Sequence, residues 1–206
     1  MIPVLMLFAL SASIAVPLLW RGFYSLHIDA LRLPETTGWS RDIIREAYDE
    51  MMDFCMKNAP FGTGALRWSE EGMRHFDDVR KLFRLDLVVL VCSAVALVLL
   101  SFFGKKIRPY RLLGRGPSFF AGMGILLFSA VLTALAAADF DRAFVVFHRI
   151  FFPGKTNWVF DPARDEIICI LPQVYFRNCA ILTVTLLVVF CVAYLLYGRR
   201  VLFPKT

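Results

Sequence analysis

The chain carries three histidines among 206 residues, and two of them stand in settings that could do chemistry. In "SEEGMRHFDDVRKLF", Glu71, His75 and Asp78 recur at i, i+4 and i+7 and share one helical face. A carboxylate one turn from an imidazole can orient it, fix its tautomer and raise its pKa, which is how a general base is commonly built. The same spacing also describes a solvated ion-pair face. The second setting is "FHRIFFPGKTNWVFDPARDEIICILPQVYF", residues 147–176, where Asp141, Phe144, Val145, His148 and Phe152 lie on one helical stripe ending at Pro153-Gly154. Seven aromatics crowd between positions 140 and 160: Phe140, Phe144, Phe147, Phe151, Phe152, Trp158 and Phe160. They fit either an aromatic belt at headgroup level or an amphiphilic pocket for acyl chains with one titratable group. His27 has no helical partner and reads as an interfacial side chain.

The elements that must position these residues are apolar. Hydrophobic residues make up 58% of the chain, gathered into four runs nearly free of charge at about 2–20, 87–103, 119–138 and 179–197. Each approaches the roughly 20 residues a helix needs to cross a bilayer core, where only internally hydrogen-bonded backbone is tolerated. The first run lacks a basic n-region and ends in "PLLWRGF", which predicts a retained helix rather than a cleaved signal peptide. The expected fold is an all-α membrane protein, a single membrane domain over 1–206 with four transmembrane helices and a mainly helical cap formed by 21–86 and 139–178. Within the cap, Ser40 is a candidate N-cap for a helix through "SRDIIREAYDEMMDFCM", Pro60, Gly62 and Gly64 mark a loop, and a second helix starts at Ser69.

Charge sets the expected orientation. The loop 104–118 carries Lys105, Lys106, Arg108, Arg111 and Arg115, and the tail carries Arg199, Arg200 and Lys205, with no acid in either. All 17 acidic residues lie in 21–86 and 139–178. The positive-inside rule puts the loop and both termini in the cytoplasm and the cap outside. The formal charge of +6 thus reflects topology and anionic lipid, and nucleic acid is not an expected partner. No CxxC or HExxH spacing supports a metal or redox site, and the five cysteines are odd in number.

Two blocks together carry a family resemblance. Residues 70–79, "EEGMRHFDDV", fit E-x-x-x-H-x-x-D-V, and residues 147–176 fit F-H-x-x-F-F, then W-x-x-D-P, then L-P-x-x-F-F. In that order among four apolar runs they resemble the bacterial lipoprotein intramolecular transacylase family, Lit. The pattern departs at Gln173, where an acid is expected, at Tyr175 for the first phenylalanine, and in the longer, more basic turn "PGKTNW".

The resemblance implies a bacterial cell-membrane enzyme without a cofactor, its site facing outward. Its substrate would be a diacylated lipoprotein held among membrane lipid. It would move the sn-2 acyl chain of the thioether-linked diacylglycerol to the α-amine of the N-terminal cysteine, giving an N-acyl, lyso-glyceryl product. The family's two functional histidines correspond to His75 and His148, which would be catalytic; from the spacing above, Glu71 or Asp78 would orient His75, and Phe144, Phe147, Phe151, Phe152, Trp158 and Asp161 are the expected substrate-binding residues. O-to-N transfer needs a neutral amine, whose pKa lies near 7.7–8.0, and a proton for the departing glycerol oxygen. A histidine pair suits both tasks, His75 as base and His148 as acid or the reverse. The rival readings are a non-catalytic membrane scaffold, a metal-dependent membrane hydrolase, and an acyltransferase using Cys55 or Cys169.

Overall fold

The structure is a computed structural model that describes residues 1–103 and 114–200, the last two without their side chains. Most of the expected basic loop, with Lys105, Lys106, Arg108 and Arg111, therefore lies outside the described residues, as do the Arg199 and Arg200 side chains and Lys205. The described chain is helical: α1 (Ile2–Leu19), α2 (Arg21–Ala30), α3 (Leu33–Thr37), α4 (Arg41–Lys57), α5 (Glu70–Phe103), α6 (Pro117–Ala138), α7 (Phe140–Phe151), α8 (Ile167–Ile170) and α9 (Gln173–Arg200). Four of these, α1, α5, α6 and α9, are long and apolar enough to cross a membrane. The fold class is thus all-α and membrane-spanning.

The chain forms two compact units. One comprises Met1–Val16, Asp86–Asp139 and the chain from Ala180 onward. Its small core is Ala9, Ile125, Leu187 and Cys191. At Gly122 an added Cβ would lie 3.1 Å from the Cys191 carbonyl, so the absent side chain lets two helices approach, the usual device where lipid supplies no hydrophobic drive. Val88, Val91, Val95 and Val98 are exposed, a surface that suits hydrocarbon and not water.

The other unit comprises Pro17–Leu85 and Phe140–Cys179. Helix α4 begins where Ser40 accepts a hydrogen bond from the Ile43 amide, and it buries Ile44, Ala47, Tyr48, Met51, Met52 and Cys55. Tyr48 stacks on Tyr24 of α2 with centroids 3.6 Å apart. Tyr24 donates to the Ile170 carbonyl at 2.8 Å, which fastens α8 to α2. Arg21 bridges to Asp49 at 2.7 Å and Asp53 at 2.5 Å, closing the α2–α4 pair.

The start of α5 is held from far along the chain. Ser69 caps it, its hydroxyl accepting from the Gly72 amide at 3.1 Å. Asp165, only 5% exposed, accepts from the Ser69 amide at 2.7 Å and the Ser69 hydroxyl at 2.8 Å. A side chain at Gly72 would collide with the Asp165 carboxylate. Asp165→Ala leaves the capped end without both bonds and is expected to cost about 1–3 kcal/mol. Thermal unfolding of the purified protein in detergent checks this, with Asp165→Asn, which keeps one acceptor, losing less.

Candidate active site

His75 lies in the second turn of α5 and is 5% exposed; His148 lies in the last turn of α7 and is 7% exposed. Their ring centroids are 5.9 Å apart at an interplanar angle of 30°. Phe152 and Phe160 present edges to His75 at 5.1 and 5.4 Å. Phe144 at 4.2 Å, Trp158 at 4.8 Å and Phe152 at 5.7 Å enclose His148. The two histidine blocks, more than 70 residues apart in the chain, therefore meet in one aromatic enclosure.

The hydrogen bonds decide the state of each ring. His148 Nδ1 lies 2.8 Å from the Phe144 carbonyl oxygen. A carbonyl only accepts, so Nδ1 carries the proton, and in the neutral ring the lone pair is on Nε2. His75 Nδ1 is buried and has no partner among the described residues. Burial, seconded by the proximity of His148, pushes the His75 pKa down to about 4 against the opposing pull of Asp78. Burial lowers His148 too, partly countered by the Phe144 carbonyl. Both shifts favour the uncharged imidazole at neutral pH.

The expected orienting carboxylates are placed elsewhere. Glu71 is exposed and pairs with Arg74 at 3.3 Å. Asp78 pairs with Lys155 at 2.6 Å and also accepts from Asn157. Neither has a hydrogen bond to His75 among the described contacts, because Coulomb attraction draws Asp78 to the lysine. Asp78 acts on His75 through its charge alone.

The lysine arrives by a tight turn. Lys155 N–H donates to the Phe152 carbonyl at 3.2 Å, with Pro153 and Gly154 (φ +73°) between them. Proline then a positive-φ glycine is the signature of a type II turn. A polar recess of about 400 Å³ lies between this turn and α5, with Glu71, Arg74, Asp78, Lys155 and Asn157 in its walls.

Of the other expected contacts, Phe144, Phe152 and Trp158 lie on the histidines. Phe147 meets His148 at 5.5 Å but is 45% exposed, and Phe151 packs on Phe147 at 4.6 Å with the rings tilted by 41°, without a ring contact to either histidine among those described. Asp161 is exposed and builds a turn: its carboxylate accepts from the Ala163 amide at 3.0 Å and its carbonyl from the Asp165 amide at 2.8 Å. Residues that helical spacing overlooked are Asn157, Lys155 and Asp165, all in loops; Phe160, a member of the aromatic cluster, proves to be a wall of the His75 site.

His27 is satisfied at both nitrogens, Nδ1 donating to the Phe23 carbonyl at 2.7 Å and Nε2 accepting from Asn178 at 2.9 Å. The Tyr175 hydroxyl, where the motif has phenylalanine, meets that of Tyr48 at 3.2 Å. The cysteines are free, and burial raises the Cys55 thiol to about 12 and lifts Cys169, which disfavours thiolate chemistry at either. Among the described residues no three metal-ligating side chains gather.

Comparison with known proteins bears on the fold and the family. A solved structure of the membrane integral lipoprotein intramolecular transacylase Lit from Bacillus cereus superposes with a TM-score of 0.86 at 20% identity, over 97% of this chain and 91% of that one. Two further structures of the Bacillus cereus protein, with a histidine replaced by arginine or by alanine, give TM-scores of 0.78 and 0.77 at 20% identity, over 97% of this chain and 88% and 90% of theirs. The curated proteins give no significant match. The family model for lipoprotein intramolecular transacylase Lit matches residues 1–176, well over half of the sequence, and the chain belongs to the Lit family.

Proposed function

We propose that this chain moves the sn-2 acyl group of a diacylated lipoprotein to the α-amine of the same molecule's N-terminal cysteine, with His148 as general base and His75 as proton donor. The observation that carries the reading is the pair of buried imidazoles with ring centroids 5.9 Å apart, and with His148 Nδ1 committed to the Phe144 carbonyl. That hydrogen bond leaves Nε2 as the basic atom, which favours the exchanged assignment over His75 as base.

The amine nitrogen attacks the ester carbonyl carbon and gives its proton to His148 Nε2. The C–O bond to glycerol then breaks, and the departing oxygen takes a proton from His75. A proton returned from His148 to His75 restores the pair, so one ester becomes one amide and one alcohol. The substrate supplies both nucleophile and ester.

The cyclic intermediate contains N, Cα, Cβ, S, two glycerol carbons, O and the carbonyl carbon. Medium rings close reluctantly, so the enclosure by Phe144, Phe152, Phe160 and Trp158 would act chiefly by orientation, potentially worth several kcal/mol. The distribution of acidic and basic residues supports an outward-facing site in the bacterial cell membrane with cytoplasmic termini.

In cells with no other N-acylation route, expression of this chain with a reporter lipoprotein should yield an N-acyl, lyso-glyceryl N-terminal peptide by mass spectrometry. His75→Ala and His148→Ala should each lower the rate by about 10²-fold or more. Cys55→Ser and Cys169→Ser should leave transfer intact. A peptide that keeps a free amine and both acyl chains overturns the reading.

The pH dependence follows from the neutral pair. With both histidines uncharged, the rising limb of kcat/KM should follow the substrate amine, near pH 7.7–8.0, rather than a histidine near 6.5. Stability carries its own sign. As pH falls below 6.5 the unfolded chain protonates at position 75, while folded His75 resists until about 4. Its contribution is complete above pH 6.5 and is lost progressively down to about 4. Thermal midpoints measured across that window should fall with pH, and less steeply in His75→Phe.

A further inference from the structure

The polar recess between α5 and the Pro153-Gly154 turn holds a group that the acid–base chemistry leaves unused. The Asn157 side-chain oxygen is buried and accepts no hydrogen bond from any described residue. Its orientation is determined, because the amide is hydrogen-bonded to the Asp78 carboxylate. A carboxylate only accepts, so the Asn157 NH₂ must face Asp78 and the oxygen must face the other way. Asn157 directly precedes Trp158, whose ring lies 4.8 Å from that of His148, and Asp78 is one helical turn beyond His75.

We propose that Asn157 holds the nucleophilic amine of the substrate by accepting one of its N–H bonds, and that Asp78 is a positioning residue that turns the Asn157 amide for this task. The inference rests on the acid–base assignment above. A neutral amine has two N–H bonds and one lone pair. With one N–H directed at His148 Nε2 and the other at Asn157 Oδ1, the lone pair is left to face the ester carbonyl carbon. An amide suits this place better than a carboxylate, since an anion beside the amine would stabilise the unreactive ammonium. The charged groups around the recess are Glu71, Arg74, Asp77, Asp78 and Lys81 from α5 and Lys155 from the turn, and ion pairs join them into a nearly balanced set. Asp78 in particular is neutralised by Lys155 at 2.6 Å.

The test uses the purified full chain in detergent and a synthetic diacylated lipopeptide, with transfer followed by mass spectrometry from about pH 6 to 9.5. Asn157→Ala should lower kcat about 10- to 100-fold with KM changed less than about threefold and the rising limb in place. Asn157→Asp, nearly the same shape, should move that limb to higher pH by about one unit, because the new charge favours the ammonium. The limb position is independent of how much protein is folded, so a less stable variant is still read. Asn157→Ala within twofold of the parent together with an unmoved limb in Asn157→Asp overturns the proposal. His148→Ala serves as the control for the underlying assignment: full activity there overturns the acid–base reading instead, whatever Asn157 does.

Discussion

The bond between the Asp165 carboxylate and the capped start of α5 is the constraint on which the site depends. A helix has little freedom once its first turn is placed, so the position of Ser69 determines where His75, six residues on, projects. The same carboxylate belongs to the connection that carries Phe160 and Trp158, the rings at 5.4 Å from His75 and 4.8 Å from His148. One buried acid therefore sets the register between a helix and the loop that covers it. Burying the acid is costly alone, but it meets a backbone amide, a hydroxyl and the positive end of a long helix. Gly72 keeps the approach open.

Held in this way, the histidines are buried deeply enough that desolvation lowers both of their pKa values. In a carboxylate–histidine arrangement the acid would raise the imidazole pKa and fix its tautomer. Here desolvation outweighs the pull of Asp78 on His75, and a backbone carbonyl, not a carboxylate, fixes the tautomer of His148. An uncharged pair is the better match to the reaction. The proton must come from an amine that is itself titrating near pH 8, and a neutral imidazole is a ready acceptor over that whole range.

Helical periodicity made much of this legible. The four apolar runs, the α4 face from Ile44 to Cys55 and the stripe of Phe144, His148 and Phe152 all follow from spacing, since each concerns residues of one element. Phe147 and Phe151, expected at the substrate, lie one residue out of step with that stripe and are half exposed, and of the two only Phe147 has a ring contact to His148 among those described. Spacing is silent where the partner comes from elsewhere in the chain. It puts Asp78 on the His75 face, yet cannot reveal that Lys155 will arrive from a turn 77 residues later and take it. Nor can it pair Asp165 with Ser69 across 96 residues, or tell that Asp161 closes a turn rather than meeting a ligand.

The turn "PGKTNW" gathers these threads. Helix α7 ends at Phe151, and Pro153 and Gly154, two and three residues on, reverse the chain so that Lys155 reaches Asp78. An ion pair at that point relieves His75 of a bonded carboxylate and so permits it to stay neutral. The residues that follow, Asn157 and Trp158, are thereby brought to the recess and to His148. Because the substrate carries its own nucleophile and ester, the protein needs no reactive thiol or hydroxyl, and its five cysteines stay free, with burial holding the Cys55 thiol protonated. What it must supply is the bent conformation in which amine and ester meet, together with a path for one proton. A rigid turn that places a ring, an amide and a counter-charge within four residues meets that requirement with the least chain to order.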